Sequence, residues 1–158
     1  MGKVKFHNSK QIICTVLSFV MLSVVLCGCS KISQPSDGDF MLACDSVGLS
    51  AVSQSTTGSD QANMEKLYIA QDDNDVIEFM QYDNETSAQE LFASITDSIK
   101  SDSATVEKNI TTSTYSKYFI RNGDKYQAVI RVGKVVIYGK ETTPTGYVDS
   151  VLEYLNLD

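Results

Sequence analysis

The chain holds a single histidine, His7, within its first ten residues. No imidazole follows it, which removes Ser-His-Asp and Cys-His catalysis and the commonest zinc ligand from the remainder. Neither G-x-x-x-x-G-K-S/T nor G-x-G-x-x-G occurs, so no glycine-rich cradle is present to bring backbone amides to a phosphate. Long apolar runs are scarce too. The only one extends from Gln11 to Leu26, broken by Thr15, Ser18 and Ser23. At about 15 residues it falls short of the roughly 20 that a spanning helix needs.

That run follows Lys3, Lys5 and Lys10 and is succeeded at once by polar Ser30-Lys31. Charge, short apolar helix and small residues, in that order, form the layout of a secretory signal peptide. Its last four residues, Leu26-Cys27-Gly28-Cys29, resemble the bacterial lipobox, in which a Leu and two small residues precede a Cys. The resemblance implies a diacylglyceryl group on the sulfur of Cys29 and cleavage after Gly28. Cys27 is an unusual but small occupant of the middle position, and Val24-Val25-Leu26 before it is too bulky for Cys27 to be the acceptor. Two acyl chains on one cysteine meet the two-signal requirement for stable membrane anchoring, at about 0.8 kcal/mol per buried methylene.

Cleavage there removes three of the thirteen basic residues and none of the twenty acidic ones, leaving ten against twenty. This balance argues against nucleic acid, whose binding depends on cations meeting phosphate. It also argues against a domain lying flat on anionic lipid. Of the four cysteines only Cys29 and Cys44 remain. With Cys29 acylated, Cys44 has no disulfide partner, and its neighbours Phe40-Met41-Leu42-Ala43 place it in a core.

The expected organisation is a signal peptide over 1–28, a lipidated cysteine and flexible Ser/Pro/Gly tether over 29–38, and one domain over 39–158. A first helix is expected from Asp39 to a stop at Gly48, followed by a polar loop from Ser50 to Asn63. Lys66–Gln71 and Val76–Tyr82 read as a hairpin around Asp72-Asp73-Asn74-Asp75. Ser87-Ala88-Gln89-Glu90 has the form of a capping box, with Ala88, Leu91, Phe92, Ile95 and Ile99 on one helical face. Thr114–Arg121, Lys125–Val132 and Val135–Tyr138 read as a meander turning at Asn122-Gly123 and Gly133-Lys134. Thr143-Pro144 opens a final helix whose stripe is Val148, Val151, Leu152 and Leu155. The order α-β-β-α-β-β-β-α after the signal helix predicts an α+β fold, with helices on one face of an antiparallel sheet.

On the lipobox, on Ile77-Glu78-Phe79-Met80-Gln81-Tyr82-Asp83 running into the helix at Ser87, and on the closing Leu155-Asn156-Leu157, the chain resembles small α+β lipoproteins of Gram-positive gut bacteria. That resemblance implies an extracytoplasmic, lipid-anchored location and brings no catalytic residues with it.

Candidate chemistry is sparse. Asp72-Asp73-Asn74-Asp75 departs from a calcium loop: Val76 stands at position five, the glycine is missing, and no Glu occupies position twelve. A solvated hairpin turn is the preferred reading. Glu78 and Asp83 are carboxylates available for acid/base work only if the fold brings them together. Cys44 as a nucleophile needs a positive neighbour and has Asp45 instead. Asn84-Glu85-Thr86 and Asn109-Ile110-Thr111 match the glycosylation sequon, which is accidental behind a bacterial lipobox. Among the eight tyrosines, Tyr115 and Tyr118 cannot share a strand face. On a helix-free sheet face, one of them is a candidate surface for peptide or glycan.

The expectation is a membrane-anchored, extracytoplasmic, non-catalytic interaction module, taking no cofactor or metal, with a protein, peptide or glycan partner at the envelope. The alternatives are an envelope enzyme using carboxylates or Cys44, and a structural subunit of an envelope complex.

Overall fold

The structure, a computed structural model, describes residues 32–57, 63–101 and 103–158. The expected signal peptide and lipidation site, Cys29, lie outside them. The elements are α1 (Asp37–Ser46), β1 (Ala51–Gln54), β2 (Met64–Gln71), β3 (Val76–Tyr82), α2 (Glu85–Ile99), β4 (Thr105–Thr111), β5 (Tyr115–Asn122), β6 (Lys125–Val132), β7 (Val135–Glu141) and α3 (Tyr147–Tyr154). The fold is α+β. The eight expected elements occur in the expected order, joined by two further strands, β1 and β4.

Among the described residues, seven strands form one antiparallel sheet in the order β1-β2-β3-β7-β6-β5-β4. Two meanders, β1–β3 and β4–β7, meet where Phe79 pairs with Ile137. The chain must therefore pass from β3, near the middle, to β4 at the far edge, four strand spacings or about 19 Å away. The crossing is made by α2. Its fifteen residues rise about 22 Å, and it packs on β3, β7, β6 and β5.

This crossing overturns the expectation of helices on one face. The α1 and α3 helices cover one side over Phe40, Phe79, Tyr126, Ile130 and Val148. On the opposite side α2 packs over Met80, Tyr118, Val129 and Val136. Strands β5 to β7 are buried on both faces, so burial does not alternate along them, and polar Ser116, Lys117 and Arg131 are buried among apolar neighbours.

Local details shift for identifiable reasons. The Asn84 side chain, not Ser87, caps α2, accepting from the Ser87 amide at 2.8 Å. Asn is as good a cap as Ser, so the competition was close. Ser36 and Asp39 form a capping box that starts α1 at Asp37, two residues early. The supposed tether is accordingly docked from Gln34 onward. Gln34 Oε1 accepts from the Lys134 amide at 2.9 Å, Pro35 is buried, and Asp37 accepts from Lys66 and Tyr68. The β5–β6 turn falls on Gly123-Asp124, one residue later than expected, with Gly123 at φ 61°. Thr143-Pro144 does not open α3; Glu141, at the end of β7, accepts from the Val148 amide at 2.7 Å instead. Strand β1 carries a polar Ala-Val-Ser-Gln sequence and pairs on one side only. In β4 a bulge between Val106 and Lys108 interrupts the alternation.

Gly139 sets how closely α3 approaches the sheet. A Cβ built there lies 2.6 and 2.7 Å from the two γ-methyls of Val148, a stiff β-branched side chain that cannot turn aside. Gly139→Ala is predicted to lower stability by about 1–3 kcal/mol, and Val148→Ala in the same chain to recover part of that loss. Urea midpoints of the three variants check it; an unchanged Gly139→Ala midpoint contradicts the close packing.

Candidate functional site

The sheet is wider than its helices, and the uncovered strip is β4. Every side chain of β4 is exposed, and its principal packing partner is β5. A trough therefore runs along each face beside it.

The trough on the α2 side has a volume of about 280 Å³. Its floor is buried: Phe92 and Thr96 from α2, Ser116 and Tyr118 from β5. One rim is the exposed face of α2, with Gln89, Ala93, Asp97 and Lys100; the other is Asn109 and Thr111 of β4. Asp97 and Lys100 bond each other at 2.6 Å. Thr96 Oγ1 is buried with no hydrogen-bond partner among the described residues. Helical threonine reached this floor because position 96 continues the buried row of Ala88 and Phe92.

The α3-side trough, of about 290 Å³, is charged instead, with Glu107, Lys108, Asp149, Glu153 and Asp158 around Phe119 and Tyr126. Its cations are already engaged. Lys108 Nζ lies 5.2 Å from the Phe119 ring centre and Arg121 Cζ 4.5 Å from that of Tyr126. Arg121 Nε also donates to Glu107 at 2.7 Å. Buried Lys117 donates to the carbonyls of Leu157 and Asp158, fastening the chain end against β5.

The structure corrects the tyrosine expectation. Tyr115 and Tyr118 do point to opposite faces, but no face is free of helices and both rings are buried. Tyr115 packs in the α1/α3 core, and only Tyr118 borders a trough. Glu78 and Asp83 are not brought together: five residues along an extended strand separate them by about 17 Å. Burial alone raises the Glu78 carboxyl above its usual range. Asp72 accepts from the amides of Asn74 and Asp75, and buried Asp75 from the Thr142 amide and the Thr145 hydroxyl. That cluster organises a turn.

Sequence reasoning missed the α2-side trough because β4 was not recognised, which left Asn109 and Thr111 without a place. Gln89 lies off the apolar stripe of its helix and so gave no signal. It also missed the weight of Arg131, whose guanidinium is buried and donates to Thr112 O and Ser113 O, both at 3.0 Å, and to Ser116 Oγ at 3.3 Å. Polar residues inside a strand carry no signal of what they will bond.

Cys44 is fully buried on α1. Burial, with the Asp45 charge in support, pushes its thiol up to about 12. We predict that it stays a thiol from pH 7 to 9 and resists alkylation until the domain unfolds. Mass spectrometry after iodoacetamide, with and without urea, checks this; rapid native labelling contradicts it. Compared with known proteins, the chain matches no family model, no curated protein and no solved structure, so its own chemistry is what bears on its function.

Proposed function

We propose that the chain is a lipid-anchored, extracytoplasmic binding module without catalytic activity. One observation carries the reading: Leu26-Cys27-Gly28-Cys29 closes a basic n-region and short apolar run, and polar sequence follows at once. Among the described residues no helix is long and apolar enough to cross a membrane.

The docked start of the domain supports a short reach. Only five residues lead from Cys29 to Gln34, and extended they span about 17 Å. Such a tether keeps the domain near the headgroups, while its excess of acidic side chains opposes adsorption onto anionic lipid. Against the enzymatic alternative stand a Cys44 thiol with its pKa near 12 and the separation of Glu78 from Asp83. The module reading uses what remains, an exposed strand with a trough on each face.

Cys29→Ala is expected to leave an unprocessed precursor or a released protein, whereas Cys27→Ser is expected to change neither mass nor location. Intact-mass measurement and membrane fractionation of a lipoprotein-processing host test both. Full membrane retention and unchanged mass for Cys29→Ala would overturn the anchor.

A further inference from the structure

We propose that the trough between α2 and β4 binds an uncharged saccharide. The proposal rests on reading the domain as a binding module and names the class of ligand that module takes.

Away from the Asp97–Lys100 pair, the trough offers uncharged hydrogen-bonding groups. Gln89 on the helix rim and Asn109 on the strand rim are amides, each with two donors and an acceptor, and Thr111 adds a hydroxyl. All three side chains are exposed. Phe92 and Tyr118 give the floor an apolar component. Paired amides above an apolar floor match a sugar ring, which carries hydroxyls around its edge and C–H groups on its faces. The volume of about 280 Å³ lies near the lower end of ligand clefts, roughly one or two rings.

The buried Thr96 hydroxyl points the same way. Its residue is 9 % exposed and its oxygen is unpaired, an arrangement that costs free energy while it lasts. Threonine in a helix takes two χ1 rotamers, so a turn about one bond carries this oxygen toward a ligand that supplies the missing partner.

Other ligand classes fit less well. The charged residues of the trough, Asp97 and Lys100, bond each other at 2.6 Å, so the trough carries no net positive charge to attract a uronate or phosphate. The acidic surface repels both. An extended peptide would seek the free edge of β4, where the bulge at Val106/Lys108 and the lysine itself obstruct pairing.

The test uses the full chain in phospholipid nanodiscs, free of sugar-headed detergent. Calorimetric titration is run with cellohexaose, maltohexaose and xylohexaose, and with hexagalacturonate and an uncharged heptapeptide for comparison. Saturable binding is expected for at least one neutral hexasaccharide. It should weaken at least tenfold in Gln89→Ala/Asn109→Ala, whose side chains are exposed, and in Thr96→Val. A purely structural Thr96 predicts the reverse for that last variant: undisturbed binding, with a melting temperature unchanged or raised. Heat only from hexagalacturonate, heat only from the peptide, or neutral-sugar binding indifferent to all these variants would each overturn the saccharide assignment. Peptide binding lost in the same variants would leave the module reading standing.

Discussion

The structure follows from one geometric mismatch. Seven strands at about 4.8 Å spacing make a sheet roughly 29 Å wide, whereas a helix covers about 10 Å. With a single crossing helix on one face and two short helices on the other, burial has to be concentrated on the middle of the sheet. Strands β3, β7, β6 and β5 receive it, and the edge strand β4 does not. The bare edge at β4 is kept from open-ended pairing by a bulge and by Lys108, devices typical of exposed sheet edges. The same bareness leaves a trough between β4 and each covering layer.

The groups that hold this arrangement are polar and buried, and they bond mainly to backbone. Arg131 ties the β4–β5 turn to β6, Glu141 caps α3 from the end of a strand, and Lys117 holds the chain end against the sheet. A hydrogen bond to a charged group typically contributes about 1.5–3 kcal/mol, so each fastens its connection more firmly than a neutral bond would. Burial raises the Glu141 carboxyl above its usual range although it accepts the Val148 amide. These groups are spent on the fold, and the chemistry left in the α2-side trough is mainly that of amides and hydroxyls.

Much of the architecture was legible from residues alone. Val76–Tyr82 and Lys125–Val132 are strands with the bounds their sequences indicate, and Val148, Val151 and Leu152 form the buried stripe of α3. What escaped is the second face. Tyr126, Ala128 and Ile130 lie on one face of β6 and Val129 and Arg131 on the other, and nothing local announces that α2 returns over the second set. Strands β1 and β4 escaped for the complementary reason: their place is decided by backbone pairing to a neighbour, and their exposed side chains have no periodicity to show. The trough depends on both omissions, since one wall is an unrecognised strand and the other the outer flank of a helix expected on the far side.

The central physical claim is that helices cover the middle strands on both faces and leave β4 uncovered. Native-state hydrogen exchange on the full chain measures this directly, because amides in doubly covered strands open only with global unfolding while those at a bare edge open locally. Amides of β6 and β7 should share the slowest exchange, and those of β4 should exchange orders of magnitude faster. Equal protection of β4 and β6 would mean that the edge is covered, and would contradict the account.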